Sequence, residues 1–218
     1  LDSVQQYTPY QVGLTLFWNG IGCAVVMPCL PWLQSKIDSR MIVAAGCAIF
    51  AVSSFIDSGM SAQSGTPQLI EPRLIQGVGQ SLITVPLAGL ATAGIESMQL
   101  NDASALFNQV RYLGGSFADA IFATLIQHRS EFHYDRLRGD VTLYSEAVQQ
   151  RLQDMTQYFV GKGADLVTAQ KQALAAIAQT VQQQATVMAI NDCFYLLGLL
   201  TLCSGIALLF MKKSQGSS

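Results

Sequence analysis

The stretch "CFYLLGLLTLCSGIALLFM", Cys193 to Met211, contains no charged residue. A helix rises about 1.5 Å per residue, so a helix of this length can cross the roughly 30 Å hydrocarbon core of a bilayer. Gln11 to Ser35 and Leu74 to Ile95 are also uncharged and long enough. Three such runs in one chain predict an integral membrane protein.

The composition agrees with that prediction. Half of the residues are hydrophobic and only 12% are charged, which is about half the charged share of an average soluble domain. Such a chain has too little polar surface to cover itself in water. The net charge of −2 gives no basic patch for nucleic acid. We therefore expect a lipid bilayer, and no nucleic acid, around this chain.

Two weaker runs complete the predicted spans. Met41 to Ile56 is shorter, and Ala103 to Gln127 crosses a bilayer only if Arg111 and Asp119 are tolerated. The sequence thus predicts an all-α membrane protein with five transmembrane helices and an external helical loop before the last one. The chain begins with Leu1 and shows no signal-peptide pattern, which is typical of a fragment.

Basic residues set the predicted orientation. Lys36 and Arg40 follow the first span, and Lys212 and Lys213 follow the last, so the positive-inside rule places both pairs in the cytoplasm. The predicted organisation is four spans in residues 1–128, a periplasmic loop in 129–186, the last span in 187–213 and a cytoplasmic tail in 214–218.

Apolar residues recur at helical spacing in the predicted loop. Two sets flank the "GKG" turn at Gly161 to Gly163: Val148, Leu152, Met155 and Phe159 before it, and Leu174, Ile177 and Val181 after it. This spacing predicts two amphipathic helices. Their apolar faces either cover each other or the membrane surface, or they dock a partner protein.

Two neighbouring spans carry polar stripes. At about 100° per residue, one arc of roughly 80° holds Ser104, Asn108, Arg111, Gly115 and Asp119. On the preceding span, one side holds Arg73, Gln76, Gln80 and Thr84. Polar faces within the membrane must look into a bundle or a cavity.

Arg111 needs an explanation, because an unpaired arginine at membrane depth costs at least about 2.5 kcal/mol. Asp119 is roughly 12 Å away along the same helix, too far for a direct pair. Arg111 is then expected to contact amides, line a wet cavity or face a carboxylate outside this chain; candidate amides are Gln76, Gln80 and Asn19. Alternatively, Arg111 snorkels to the internal interface and Asp119 lies near the external one.

Small residues and prolines predict how the helices pack. Gly114 and Ala118, four residues apart, allow another helix to approach closely. Pro28, Pro31 and Pro86 each remove a backbone donor and predict kinks.

Chemistry-bearing motifs are scarce in this sequence. The five cysteines all lie in apolar runs and are expected to be small buried hydrophobes. We find no catalytic triad pattern, phosphate loop or metal-ligand spacing. We therefore expect that the protein is not an enzyme and that it has no metal site and no cofactor.

Several motifs occur together and in order along the chain. They are "YTPYQVGL", "KIDSR", "PRLIQGVGQSLITVPL", "ASALFNQVRYLGGSFADAI" followed by "RSEFHYDRL", and "QQQATVMAINDCFYLLG". In these motifs nearly the whole chain resembles the C-terminal part of the EmrB/QacA-type multidrug efflux transporters, the fourteen-helix drug:proton antiporter branch of the major facilitator superfamily.

The resemblance implies a function and partners. The five spans would correspond to the tenth to fourteenth helices, and the N-terminal helical bundle would be missing. Such transporters export hydrophobic or amphipathic compounds across the bacterial inner membrane, driven by inward proton flow, by alternating access. EmrB-like members work with a membrane-fusion adaptor and an outer-membrane channel. Other readings are a membrane-anchored adaptor-binding module and a non-functional truncated remnant.

The polar stripes and the resemblance together give candidate sites, although Asp119 departs from the family, in which a small or hydroxyl residue is common at that position. The pathway candidates are Asn108, Arg111, Asp119, Arg73, Gln76 and Gln80. The helix-packing candidates are Gly77, Pro86, Gly114, Gly115 and Ser116. The turn with Lys36, Asp38 and Arg40 resembles a cytoplasmic gating motif, although Pro31 and Ser35 depart from its pattern.

Overall fold

A computed structural model of the chain describes residues 9–59, 66–92, 95, 98–140 and 146–210. All regular structure in these ranges is helical. The helices are α1 (Pro9–Val26), a 3-10 turn (Met27–Cys29), α2 (Leu30–Lys36), α3 (Ser39–Asp57), α4 (Thr66–Thr92), α5 (Leu100–Asp140), α6 (Glu146–Gly161) and α7 (Leu166–Phe210). The predicted cytoplasmic tail and the basic pair at 212–213 lie outside the described ranges.

Four segments of the described chain are long and apolar enough to cross a membrane. They are Gly13–Lys36, Ser39–Asp57, Ile70–Thr92 and Leu166–Phe210. The predicted class, an all-α membrane protein, is confirmed. The fifth predicted span, Ala103 to Gln127, is helical as part of α5 but is not among these four. A count of five spans therefore stays a prediction.

The chain divides into two compact units. The first comprises Leu1–Ala123 and Asn191–Ser218, and the second comprises Thr124–Ile190. The predicted boundary between loop and last span, at 186–187, falls inside the unbroken helix α7.

In the first unit α4 packs against both α1 and α3, because glycines let the backbones meet. A Cβ on Gly22 would lie 2.5 Å from the carbonyl oxygen of Leu74, and a Cβ on Gly77 would clash with that of Asn19. A Cβ on Gly79 would lie 2.8 Å from the backbone nitrogen of Phe50. No side chain fits at these crossings, so α1 and α3 both lie directly on α4.

A second, apolar contact joins α2, α3 and α4. Leu30, Ile42 and Leu82 are buried together, one from each of α2, α3 and α4. Between membrane-spanning helices such a contact is stabilised mainly by close van der Waals packing, because lipid tails are as apolar as leucine. The interruption predicted at Pro28 is present as the 3-10 turn between α1 and α2. Pro86 lies within α4, which continues past it.

In the second unit, the two segments predicted to be amphipathic helices are helical and form α6 and the first part of α7. Gly163 ends the turn after α6 with φ +96°, a left-handed conformation that glycine adopts without the Cβ clash of other residues. Its amide donates to the carbonyl of Val160 at 2.9 Å. Within the same unit Ser130 and Thr186 share a hydrogen bond of 3.1 Å.

Candidate functional site

A cavity of about 510 Å³ lies along one face of α4 in the first unit. The polar stripe predicted on this helix is the floor of the cavity. We call it the polar cavity, and its lining residues are Leu16, Asn19, Phe50, Arg73, Gln76, Gln80, Ile83, Thr84 and Thr201. One guanidinium, three amides and two hydroxyls thus share the cavity with three apolar side chains.

Arg73 is held in place by groups from two helices and an aromatic ring. Its Nη1 donates to Oε1 of Gln76 at 2.7 Å. The side-chain amide of Asn19 donates to the backbone carbonyl of Arg73 at 3.5 Å. The guanidinium carbon lies 5.9 Å from the ring centroid of Phe194, within the range of a cation–π contact. These contacts fix Arg73 in the cavity wall.

Asp57 is the charged partner of Arg73, and sequence reasoning missed it. Nη2 of Arg73 lies 3.9 Å from Oδ2 of Asp57, and the two side chains are 16% and 0% exposed. Among the described residues, neither carboxylate oxygen of Asp57 has a hydrogen-bond partner. A buried ion pair without hydrogen bonds recovers little of its desolvation cost. Asp57 is therefore a buried counterion of Arg73 that is not itself a lining residue of the cavity.

The contact between α3 and α4 is closed by a second polar group. Ser53 is fully buried, and its hydroxyl donates to the backbone carbonyl of Pro72 at 2.7 Å. On the α1 side, the thiol of Cys23 donates to the carbonyl of Gly77 at 3.2 Å. Each neighbouring helix thus donates at least one hydrogen bond to the backbone of α4.

The predicted residues on α5 are placed differently. Asn108, Arg111 and Asp119 are all exposed, and none of them lines the polar cavity. Arg111 lies over the ring of the adjacent Tyr112, at 5.2 Å. The apolar residues on the other side of this helix, such as Phe117, are exposed as well. The amides suggested as partners of Arg111 instead line the cavity around Arg73.

The small residues of α5 also lie in open space. A Cβ added to Gly114 or Gly115 would meet nothing within 4 Å, and the Ser116 hydroxyl donates to the carbonyl of Tyr112 in its own helix. Helix packing at these three residues stays a prediction, whereas Gly77 lies at a helix crossing and Pro86 is fully buried.

The turn that resembles a gating motif connects α2 and α3. Lys36 ends α2, with its ammonium 4.4 Å from the ring centroid of Trp32. Asp38 precedes the first residue of α3, and its backbone carbonyl accepts from Met41 at 2.9 Å. Arg40 lies in the first turn of α3.

The second unit has a smaller, mainly apolar groove of about 220 Å³. Its lining residues are Tyr134, Arg138, Val148, Leu152, Leu174, Ile177, Ala178 and Val181. Five of the seven apolar residues predicted on α6 and the first part of α7 therefore line a common groove, and Met155 and Phe159 are not among its lining residues.

Within the described ranges, no cluster of three or more His, Cys, Asp or Glu side chains could hold a metal ion. All five cysteines lie in those ranges, and no disulfide joins them.

Comparison with known proteins identifies bacterial exporters as relatives. The chain is 22% identical to the colistin resistance protein EmrB of Acinetobacter baumannii, over 99% of the chain and 41% of that protein. It is 26% identical to the fatty acid resistance protein FarB of Neisseria gonorrhoeae, over 84% of the chain and 36% of that protein. It is 26% identical to the multidrug export protein EmrB of Escherichia coli K12, over 90% of the chain and 37% of that protein.

The chain spans about two fifths of the length of these relatives and matches their C-terminal part. No protein-family profile matches it. The resemblance to EmrB-type drug efflux transporters that the motifs indicate is confirmed by these homologues.

Proposed function

We propose that this chain is the C-terminal portion of a proton-coupled multidrug efflux transporter. It would export hydrophobic or amphipathic compounds across the bacterial inner membrane by alternating access, together with an N-terminal helical bundle. A membrane-fusion adaptor and an outer-membrane channel are its proposed partners. Its relatives are named for export of drugs or for resistance to colistin and fatty acids, which supports this class of function.

The polar cavity is the observation that carries the proposal. Ionisable and amide groups in apolar spans are expensive and mark substrate or ion pathways. Arg73, Gln76 and Gln80 lie on one helical face and line one cavity with apolar neighbours. A mixed lining of this kind suits compounds that combine a large apolar body with a small polar group.

The test replaces Gln80 with leucine in the complete gene that encodes the chain. Gln80→Leu removes a polar group from the cavity but keeps a side chain of similar size. We expect cells that express it to accumulate several-fold more drug than cells with the native protein. The control is Gln172→Leu on α7, an exposed glutamine that lines neither cavity nor groove. Native drug accumulation in the Gln80→Leu cells, at equal protein level, would contradict the proposal.

The proton-coupled part of the proposal has its own test at Arg111. Its exposure on α5 is supporting evidence for a partner on another helix, because a bare arginine in lipid is costly. Arg111→Ala in the complete transporter should lower export and change its dependence on external pH. Unchanged export with an unchanged pH profile would remove Arg111 from the pathway.

A second candidate function rests on the groove of the second unit. Its apolar lining between helices is the kind of surface into which an amphipathic helix docks. In this reading the chain is a membrane-anchored module that binds the adaptor. A photocrosslinker at Leu152, in the groove, should capture the co-expressed adaptor, whereas one at Gln172 should not. If neither export nor capture is observed, the chain is a non-functional remnant.

A further inference from the structure

The two charges of the Arg73–Asp57 ion pair are placed unequally relative to the polar cavity. Arg73 lines the cavity, whereas the side chain of Asp57 is fully buried and is not part of the lining. A ligand in the cavity therefore meets the positive end of the pair first. The potential at that point is positive, since the nearer charge outweighs the farther one.

The interaction between Arg73 and Asp57 is also weak. At 3.9 Å the nearest nitrogen and oxygen are beyond hydrogen-bonding distance, and the Asp57 oxygens have no hydrogen-bond partner within the described part of the chain. Good guanidinium–carboxylate pairs are bidentate, with bonds of about 2.7–2.9 Å. Arg73 uses Nη1 for Gln76, and a guanidinium has five N–H donors in all. Donors thus remain that Asp57 does not satisfy.

The rest of the cavity suits an anionic amphiphile. Gln80 and Thr84 lie about two and three turns beyond Arg73 and add an amide and a hydroxyl to the polar side of the lining. Leu16, Phe50 and Ile83 provide apolar surface for a hydrocarbon body. Arg73 is the single charged side chain in the lining as described, so no acid there repels an anion.

We propose that Asp57 is a built-in counterion that an anionic head group displaces from Arg73 when an amphipathic substrate enters the polar cavity. This inference rests on the proposed function and assigns to the same site a ligand chemistry, a carboxylate or similar anion on an apolar tail. Asp57 is a specificity-determining residue that acts through Arg73. It disfavours anion binding by repulsion, and so limits how tightly the site holds its substrate.

The test uses three probes with one tail and different head groups. They are ω-bromoundecanoate, ω-bromoundecanol and ω-bromoundecyltrimethylammonium, added to the full chain in nanodiscs of uncharged lipid. Bromine quenches tryptophan fluorescence at short range, and Trp18 is adjacent to the lining residue Asn19. Trp32→Phe as the background leaves Trp18 as the sole tryptophan. We expect the carboxylate to bind about tenfold more tightly than the alcohol or the ammonium probe.

Variants at the pair give the decisive result. Asp57→Asn should strengthen carboxylate binding roughly tenfold, because it removes the repulsion between two carboxylates around one guanidinium, and should leave the alcohol unchanged. A purely structural Asp57 would give equal or weaker binding of every probe. Arg73→Gln should abolish the head-group preference. Arg73→Lys keeps the positive charge opposite Asp57 and should show a weaker preference for the carboxylate head group. This variant still tests the inference if Arg73→Gln fails to fold.

Lys171→Gln is the control for the loss of one positive charge, because Lys171 is exposed on α7 and lies outside the lining. It should leave all three affinities unchanged. Equal binding of the three head groups, tightest binding of the ammonium, or a preference that survives Arg73→Gln would overturn the inference. The proposed function fails separately, because export is measured in cells. Export without a head-group preference would contradict only this inference. A head-group preference without export would contradict only the transport proposal.

Discussion

Replacing Gly77 with alanine should push α1 away from α4. A Cβ at this position would clash with the carbonyl oxygen of Asn19 and would lie 3.1 Å from the backbone nitrogen of Cys23. Both contacts are to backbone, which cannot rotate aside as a side chain can. The helices themselves must separate, and the hydrogen bonds that Asn19 and Cys23 donate to α4 lengthen with them.

The expected loss follows from two opposing effects. Overpacking a well-packed contact costs about 1–3 kcal/mol. Alanine is better than glycine inside a helix by about 1 kcal/mol, which offsets part of that cost. The net destabilisation should be about 0–2 kcal/mol, or a midpoint lower by up to about 8 °C for a chain of this size.

Fluorescence-detected size exclusion after heating in detergent measures the midpoint. Gly20→Ala is the matched control, since a Cβ at Gly20, on the neighbouring helix α1, would meet nothing within 4 Å. This control should be neutral or slightly stabilising. If Gly77→Ala melts at or above the Gly20→Ala midpoint, the close crossing of α1 and α4 is wrong.

Three further predictions concern single residues. Ser53→Ala should destabilise the chain by about 1 kcal/mol in the same heating assay, because it leaves the hydrogen bond to the Pro72 carbonyl unmade. At the start of α7, the Thr168 hydroxyl and backbone N–H donate to Asp165 and hold the pKa of its carboxyl below its usual range. That contribution is present above the ordinary pKa of an aspartate and is lost as pH falls through the lowered value; Asp165→Asn should remove this acid-dependent change in helical circular dichroism. Gly163→Ala should cost about 1–2 kcal/mol, since φ is +96° there, and should speed proteolysis of the α6–α7 turn.

Helical periodicity predicted the floor of the site but not its counterion. Arg73, Gln76 and Gln80 share a face because of their spacing alone, and they line one cavity. Asp57 has no such signal, since it is 16 residues before Arg73 and stands where a span gives way to a polar turn. Asp57 is buried because of how α3 packs on α4, and this packing leaves no pattern in the sequence around Asp57.

The boundary between loop and last span, at 186–187, stays a prediction. It follows the change from polar to apolar composition, and composition does not end a helix. From Leu166 to Leu197 the sequence contains no proline or glycine, and its alanines, glutamines and leucines are good helix formers. α7 therefore continues through the change. The partner of Arg111 could not be predicted either. Helical spacing shows that Arg111 lies on a polar face, but the groups that contact this face lie outside the helix.

The helix crossings at the glycines determine where the walls of the polar cavity lie. At about 100° per residue, Gly77 lies about 60° to one side of the centre of the polar stripe and Gly79 about 100° to the other. α1 rests on the first and α3 on the second, so the stripe faces the groove between them. The residues at these crossings, Asn19 and Phe50, are also cavity walls.

Stability and ligand binding should therefore change together at these glycines. Gly77→Ala and Gly79→Ala each move one wall, and each should weaken ω-bromoundecanoate binding several-fold while lowering the melting midpoint. Gly20→Ala should change neither. A Gly77→Ala protein that melts earlier but binds the probe with native affinity would show that the crossing holds the helices together without shaping the cavity. The head-group preference should survive in both variants, because Arg73 and Asp57 keep their charges.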